Sequence, residues 1–281
     1  MKTVYFDTSV YNRILDDPRR SFIARAVRRT STRKRLEVLF SINNFEEFCH
    51  TPDVDRRTQL FKLAYSVCKH QFTVSAGELI KRELEAYLEN STLTKEGIYG
   101  TSDFEDTFSK AIDGSLFEGA PNTLLKETKK LKYDDLKFEK NSKRKLVPLW
   151  EGRRNIPFDK FYQTSLRYEE AREWLRRRCI AAFGDARRGK QDFSHLDLQR
   201  LPGLRCLFKY QCARLFKQLL MQEKPRWGSR MDMYHSVFLG YCDIFVTGDN
   251  NFLDIVNLFG ESKVKCLSFS KFVAQYIDST T

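Results

Sequence analysis

Four acidic residues could carry chemistry in this sequence: Asp7, Glu47, Asp232 and Asp249. Asp7 ends the apolar run Thr3-Val4-Tyr5-Phe6, and Glu47 follows the run Val38-Leu39-Phe40-Ser41. Asp249 lies two residues past Ile244-Phe245-Val246-Thr247, and Asp232 opens the helical stretch that leads into that run. Carboxylates gathered from distant parts of a chain repel one another, and hard divalent cations with oxygen ligands, Mg²⁺ or Mn²⁺, relieve that repulsion. Such a cluster suits phosphodiester chemistry. Each acid taken singly has an ordinary explanation. An Asp after a strand serves as a turn residue or helix cap, and an acid in a first helical turn suits the macrodipole. The argument therefore depends on all four acids sharing one edge.

The elements around them provide that edge. Short, nearly continuous apolar runs alternate with helical stretches over the first ninety residues and again over the last fifty, the pattern of a parallel sheet covered on both faces. The expected fold class is α/β, a three-layer α/β/α domain with a central parallel sheet and a mostly helical basic insertion. In a right-handed βαβ unit each helix begins at the carboxyl edge of the sheet. Asp7 and Asp249 just past strands, Glu47 early in a helix and Asp232 in a first helical turn all fall there, where open α/β sheets bind ligands. Asp243 precedes its strand and belongs to the opposite edge.

Domain organisation follows the same pattern. Residues 1–90 and 226–281 form the α/β part, and residues 91–225 read as the basic insertion. Within it, Lys126 to Pro157 reads partly as loop, while Phe158 to Phe183 and Leu204 to Gln222 read as helices. The chain of 281 residues has a net charge of +12, and residues 90–226 hold 29 Lys and Arg against 19 Asp and Glu. Lys143-Arg144-Lys145, Arg153-Arg154, Arg176-Arg177-Arg178 and Arg187-Arg188 interleave with Trp150, Phe158, Tyr162, Tyr168 and Trp174. That is the composition of a single-stranded nucleic-acid surface, although Phe161, Tyr168, Ala171 and Leu175 also have the spacing of a core face. Charged residues interrupt every apolar run, so no membrane span is expected, and the early first strand leaves no room for a signal peptide. Seven cysteines in mostly apolar segments read as reduced, buried thiols of a cytoplasmic protein. Neither Cys49-His50 nor Cys68 with His70 has zinc-site spacing.

The acids and their neighbours resemble the PIN-domain nuclease family. Val4-Tyr5-Phe6-Asp7-Thr8-Ser9 resembles its opening motif, and Ser41 with Glu47 its second. Asp232-Met233-Tyr234-His235 with Phe245-Val246-Thr247-Gly248-Asp249 is similar to its closing motifs. The resemblance covers roughly residues 1–90 and 226–280. Glu46 is the alternative to Glu47, with the spacing from Ser41 and the following Phe48 favouring Glu47. The resemblance implies a metal-dependent endoribonuclease of toxin type, with Asp7 as central ligand and Glu47, Asp232 and Asp249 completing a site for one or two Mg²⁺ or Mn²⁺ ions. Thr8, Ser9 and Thr247 would orient ligands; His235 and Arg230 would do the same or touch substrate, with His235 equally readable as a hydrogen-bonded structural residue. The expected partners are a nucleic acid, RNA before DNA, and an antitoxin or other protein, with room for a homodimer. The alternatives are a structure-selective DNA nuclease of repair or defence and a non-catalytic RNA-binding protein on the same fold. A HAD-type phosphatase is disfavoured, because Asp7-Thr8-Ser9-Val10 lacks an Asp two residues after the first.

Overall fold

The computed structural model describes residues 1–33, 36–68, 71–100, 103–117, 156–183, 196–221, 229–261 and 263–278. Five strands, β1 (Lys2–Phe6), β2 (Leu36–Ser41), β3 (Phe72–Thr73), β4 (Ile244–Thr247) and β5 (Lys265–Ser268), form one sheet in the order β3-β2-β1-β4-β5. Every pairing is parallel, with Tyr5 opposite Leu39 on one side and Phe245 on the other. Helices cover both faces, so the expected three-layer α/β/α class holds.

The helices are α1 (Thr8–Asp16), α2 (Arg20–Thr32), α3 (Ile42–Cys49), α4 (Val54–Cys68), α5 (Ala76–Leu88) and α6 (Asp103–Asp113). They continue with α7 (Phe158–Ser165), α8 (Glu169–Phe183), α9 (Pro202–Leu220), α10 (Ser229–Val237), α11 (Asn250–Phe259) and the short α12 (Phe269–Phe272), which runs on as a π turn. The single helix expected over 158–183 is two. α7 packs on α9 while α8 packs on α5, and one straight rod could not serve both neighbours. The backbone turns between them, with Arg167 N–H donating to Thr164 O and Tyr168 N–H to Ser165 O.

Strand side chains alternate between two cores, as the pleat requires. Tyr5, Leu39 and Phe245 face one, with α5, α7, α8, α9, α10 and α11. Val4, Phe6, Val38, Phe40, Ile244 and Val246 face the other, with α1, α2, α4, α6 and α12. The described helices of 91–225 thus pack into the same two cores as the α/β elements. Phe108 of α6 is fully buried and stands edge-on to Phe40 at 5.2 Å and Phe61 at 5.5 Å. Aromatic pairs in this geometry add roughly 0.5–1.5 kcal/mol each beyond their area burial.

One buried carboxylate joins α9 to the α/β part. Pro202 opens α9 and the Leu201 cap has no side-chain hydrogen bond, so the first N–H groups of the helix need acceptors. Glu83 of α5 supplies them, accepting from Gly203 N at 2.6 Å and Leu204 N at 2.9 Å, and also from the Tyr241 hydroxyl. A β-carbon at residue 203 would lie 2.9 Å from Val237 and 3.0 Å from Tyr241, so glycine permits this approach. Burial pushes the Glu83 carboxyl up to about 7 despite these bonds. The clusters Lys143-Arg144-Lys145, Arg153-Arg154 and Arg187-Arg188, together with Trp150, lie outside the described residues. Of the third cluster, Arg176 and Arg177 pair with Glu173 on their own helix, and Arg178 sits 5.0 Å over the Trp174 ring.

Candidate active site at the carboxyl edge of the sheet

Asp7 leaves β1 in extended conformation and caps α1, its Oδ1 accepting from Val10 N at 3.1 Å and from Ser9 Oγ at 2.5 Å. Its Oδ2 accepts from the Thr247 hydroxyl, the last residue of β4. The same Thr247 Oγ1 accepts from Asp249 N at 2.8 Å. One threonine therefore couples the ends of two adjacent strands and the acids that follow them. Asp249 caps α11, its Oδ1 accepting from Asn251 N at 2.7 Å. The capping roles foreseen for single acids are real for Asp7 and Asp249, and they leave one Asp249 oxygen outside the cap.

Gly248 makes this closeness possible. Its N–H donates to Ser9 Oγ at 2.6 Å, and its carbonyl accepts from Arg13 Nη2 at 2.6 Å and Nε at 3.1 Å. A β-carbon there would lie 2.9 Å from Ser9 Oγ and nearer still to Arg13. The loop after β4 can thus press against α1 only without a side chain.

The other half of the site is built around His235, which is 2 % exposed. Its Nε2 meets Glu47 Oε2 at 2.9 Å and its Nδ1 meets the Tyr5 hydroxyl at 2.6 Å. Tyr5 continues to Ser41 Oγ at 2.7 Å, and Ser41 donates to Asn44 Oδ1 at 2.9 Å. Asn44 Nδ2 donates to Phe6 O at 3.1 Å and Thr8 Oγ1 at 3.3 Å, and Thr8 in turn lies close enough to Glu47 to lower its pKa. Every bond in this chain from Glu47 to Thr8 is made at once when His235 is an imidazolium. Burial opposes that charge, but Glu47, Asp7 and Asp232 outweigh it and raise the His235 pKa. For Glu47, burial is likewise outweighed, by His235 and Thr8, and its carboxyl is held below the usual range.

The four acids sense one another. Burial raises the Asp7 carboxyl against the opposing pull of His235, Ser9 and Thr247, and Glu47 adds to the rise. Asp232, in the first turn of α10, is pushed up to about 7 by burial and by Glu47, Asp249 and Asp7, against the pull of His235. Tyr210 of α9 is fully buried beside it. Burial, Asp232 and Asp249 raise this phenol well above its ordinary value, yet its hydroxyl makes no hydrogen bond of good geometry.

The sequence-predicted residues therefore gather as follows. Asp7, Glu47, Asp232 and Asp249 meet electrostatically, with Thr8, Ser9, Thr247 and His235 bonded to them. Glu46 is exposed on α3, whereas Glu47 turns toward His235. The Arg230 side chain and Trp227 lie outside the described residues. Sequence reasoning missed Tyr5, Ser41 and Asn44 as the support of His235, and it missed Tyr210. Tyr5 had a signal, because it lies two residues before Asp7 in a strand and so shares its face. Tyr210 had none, being distant in sequence from every acid.

A hard cation fits this donor set in charge and chemistry. All four acids offer oxygen, Asp232 is under-compensated, and the orphaned Tyr210 hydroxyl faces it. The side chains are not pre-gathered around a point, since among the described residues no three His, Cys, Asp or Glu stand ready to hold a metal ion. The seven cysteines are free, most of them buried, and burial pushes the Cys49, Cys179 and Cys266 thiols up to about 12. No family model, curated protein or solved structure matches the chain, so the PIN-domain resemblance stands on the motifs alone.

Proposed function

We propose that the protein is a metal-dependent endoribonuclease working at this edge. The observation that carries the reading is the pair of one-residue bridges. Thr247 ties Asp7 to the backbone of Asp249, and His235 ties Glu47 to the helix of Asp232, so acids distant in sequence are brought to one edge of the sheet. Asp7, Asp232 and Asp249 would hold Mg²⁺ or Mn²⁺, with Glu47 bound directly or through water. When bound, such an ion lowers the pKa of a water and neutralises charge on the phosphate and the leaving 3′ oxygen. The chain's own residues supply orientation. Ser9 and Thr247 fix both Asp7 oxygens, and His235 fixes Glu47, so these carboxylates are held in place for a ligand. Hydrolysis to a 5′ phosphate and a 3′ hydroxyl is what the PIN-domain resemblance implies for such a site. A protein partner that restrains the activity, of antitoxin type, is part of the same reading.

The test offers labelled single-stranded RNA, single-stranded DNA and duplex DNA to the purified chain with Mg²⁺, Mn²⁺ or EDTA, beside Asp7→Asn. Metal-dependent RNA cleavage that Asp7→Asn abolishes is expected. Binding without cleavage under either metal would sink the nuclease, and cleavage confined to DNA would move the substrate to the alternative class.

A further inference from the structure

Helix α2 carries a feature that neither the fold nor the acid cluster uses. Residues 19–35 hold eight Lys and Arg and no Asp or Glu. Outside residues 90–226 the chain carries a net +2, so the remainder of that part, with +8 removed, is net −6. Positive charge is concentrated here within an otherwise acidic α/β part. The helix buries Ile23, Val27 and Thr30 and exposes Arg20, Arg25, Arg28, Arg29 and Arg33. Arg25, Arg29 and Arg33 recur every four residues, which sets them about 6 Å apart along one ridge, with Arg28 beside them. Among the described residues none of these five has an acidic partner, although Arg25 Nε does bond Ser21 O on its own helix. Like charges at this spacing oppose helix formation, so the ridge brings the isolated helix no stability. By contrast, Arg176 and Arg177 are each answered by Glu173.

A groove of about 1010 Å³ runs from Asp249 to Arg19 at the start of this helix, and the ridge arginines continue beyond its end. It begins at Ser9, Gly248 and Asp249 and reaches Arg19 and Asp278, with Arg13 along its wall. Arg19 is the N-cap of α2. At the far end Asp16 pairs with Arg56 at 2.8 Å, and Arg19 lies 3.5 Å from both Asp17 and Asp278, so two cations partly offset three acids.

We propose that the arginine ridge of α2 is a track for the phosphodiester backbone of single-stranded RNA, with the groove from Arg19 to Asp249 lying between its start and the acid edge. Where the strand leads rests on the nuclease reading; what the ridge binds does not. Unpaired guanidinium groups at regular spacing, on a surface otherwise of opposite sign, complement a polyanion and release its counter-ions.

The experiment measures binding of the full chain to a labelled single-stranded RNA oligonucleotide in EDTA, over a salt series, for the parent and for Arg25→Gln/Arg28→Gln/Arg29→Gln. Phosphatidylserine vesicles form a second arm, and Arg25→Lys/Arg28→Lys/Arg29→Lys a third. Loss of up to three phosphate contacts reduces the log–log salt slope by about 2 and weakens affinity on the order of tenfold or more at physiological salt. The Lys variant retains most of the affinity, and thermal melting shows that both variants fold. Should the Gln variant melt early, Arg29→Gln alone is expected to reduce the slope by about 0.7. Unchanged RNA affinity and slope overturn the track, as does vesicle binding that needs these arginines while RNA binding does not. The two readings fail separately. Ridge-dependent RNA binding without cleavage under any metal removes the nuclease and keeps the track; cleavage by a Gln variant that binds RNA normally removes the track and keeps the nuclease.

Discussion

Asp232 is the least compensated member of the cluster. Its pKa is raised to about 7, so its contribution to stability is complete below the unfolded value near 3.8 and lost as pH rises through 7. At pH 8 in EDTA, Asp232→Asn should therefore stabilise the fold by on the order of 1–3 kcal/mol, less than the full linkage value because the carboxylate is partly exposed. The same substitution should abolish the rise in melting temperature that Mg²⁺ or Mn²⁺ gives the parent. That rise corresponds to about 2.7 kcal/mol at a metal concentration of 100 times Kd. Thermal melts with and without metal decide both points, and a parent indifferent to metal would count against the site. Tyr5→Phe tests the support beneath it. Removing the hydroxyl strands His235 Nδ1 in a buried network and takes one of its bonds from Ser41 Oγ, a loss of roughly 1–3 kcal/mol readable by denaturant unfolding. Unchanged stability would mean that the His235–Tyr5–Ser41 chain of bonds is not formed in solution.

Between elements, the informative contact is the capping of α9 by Glu83. A carboxyl raised to about 7 by burial gives its full stability below the unfolded value near 4.5 and loses it as pH rises through 7. The loss is on the order of 3 kcal/mol across that window. Glu83→Gln removes the titration, so the difference in unfolding free energy between parent and variant should change with pH from 4.5 to 7.5 and flatten outside it. Parallel pH profiles would show that Glu83 has an ordinary pKa. The π turn after α12 has no evident physical cause in its neighbours.

The molecule as a whole has one sheet and two cores that share it. Because α6 fills the core with α1 and α4, and α7 to α9 fill the other with α5 and α10, unfolding should be a single cooperative transition. Calorimetry checks this, and two separated transitions would mean that residues 91–225 fold apart from the rest. Phe108→Ala, a change outside the sheet, should lower the whole transition by about 3–5 kcal/mol rather than melt α6 alone. Among the described residues no helix is long and apolar enough to cross a membrane.

Much of this architecture was legible in the chain. Strands β1, β2 and β4 announce themselves as apolar runs because both of their faces are buried, and Pro18 separates α1 from α2 because proline cannot continue a helix. The edge shared by Asp7, Glu47, Asp232 and Asp249 followed from the handedness of parallel crossovers, a local rule that acts through sequence order. Contacts that depend on where helices dock were not legible. The break between α7 and α8, the Glu83 cap on α9, the Tyr210 hydroxyl beside Asp232 and the His235–Tyr5–Ser41 chain all join residues far apart in sequence, and periodicity cannot say which distant face arrives. Only packing in three dimensions decides that, because it fixes which buried polar groups find partners and which, like the Tyr210 hydroxyl, do not.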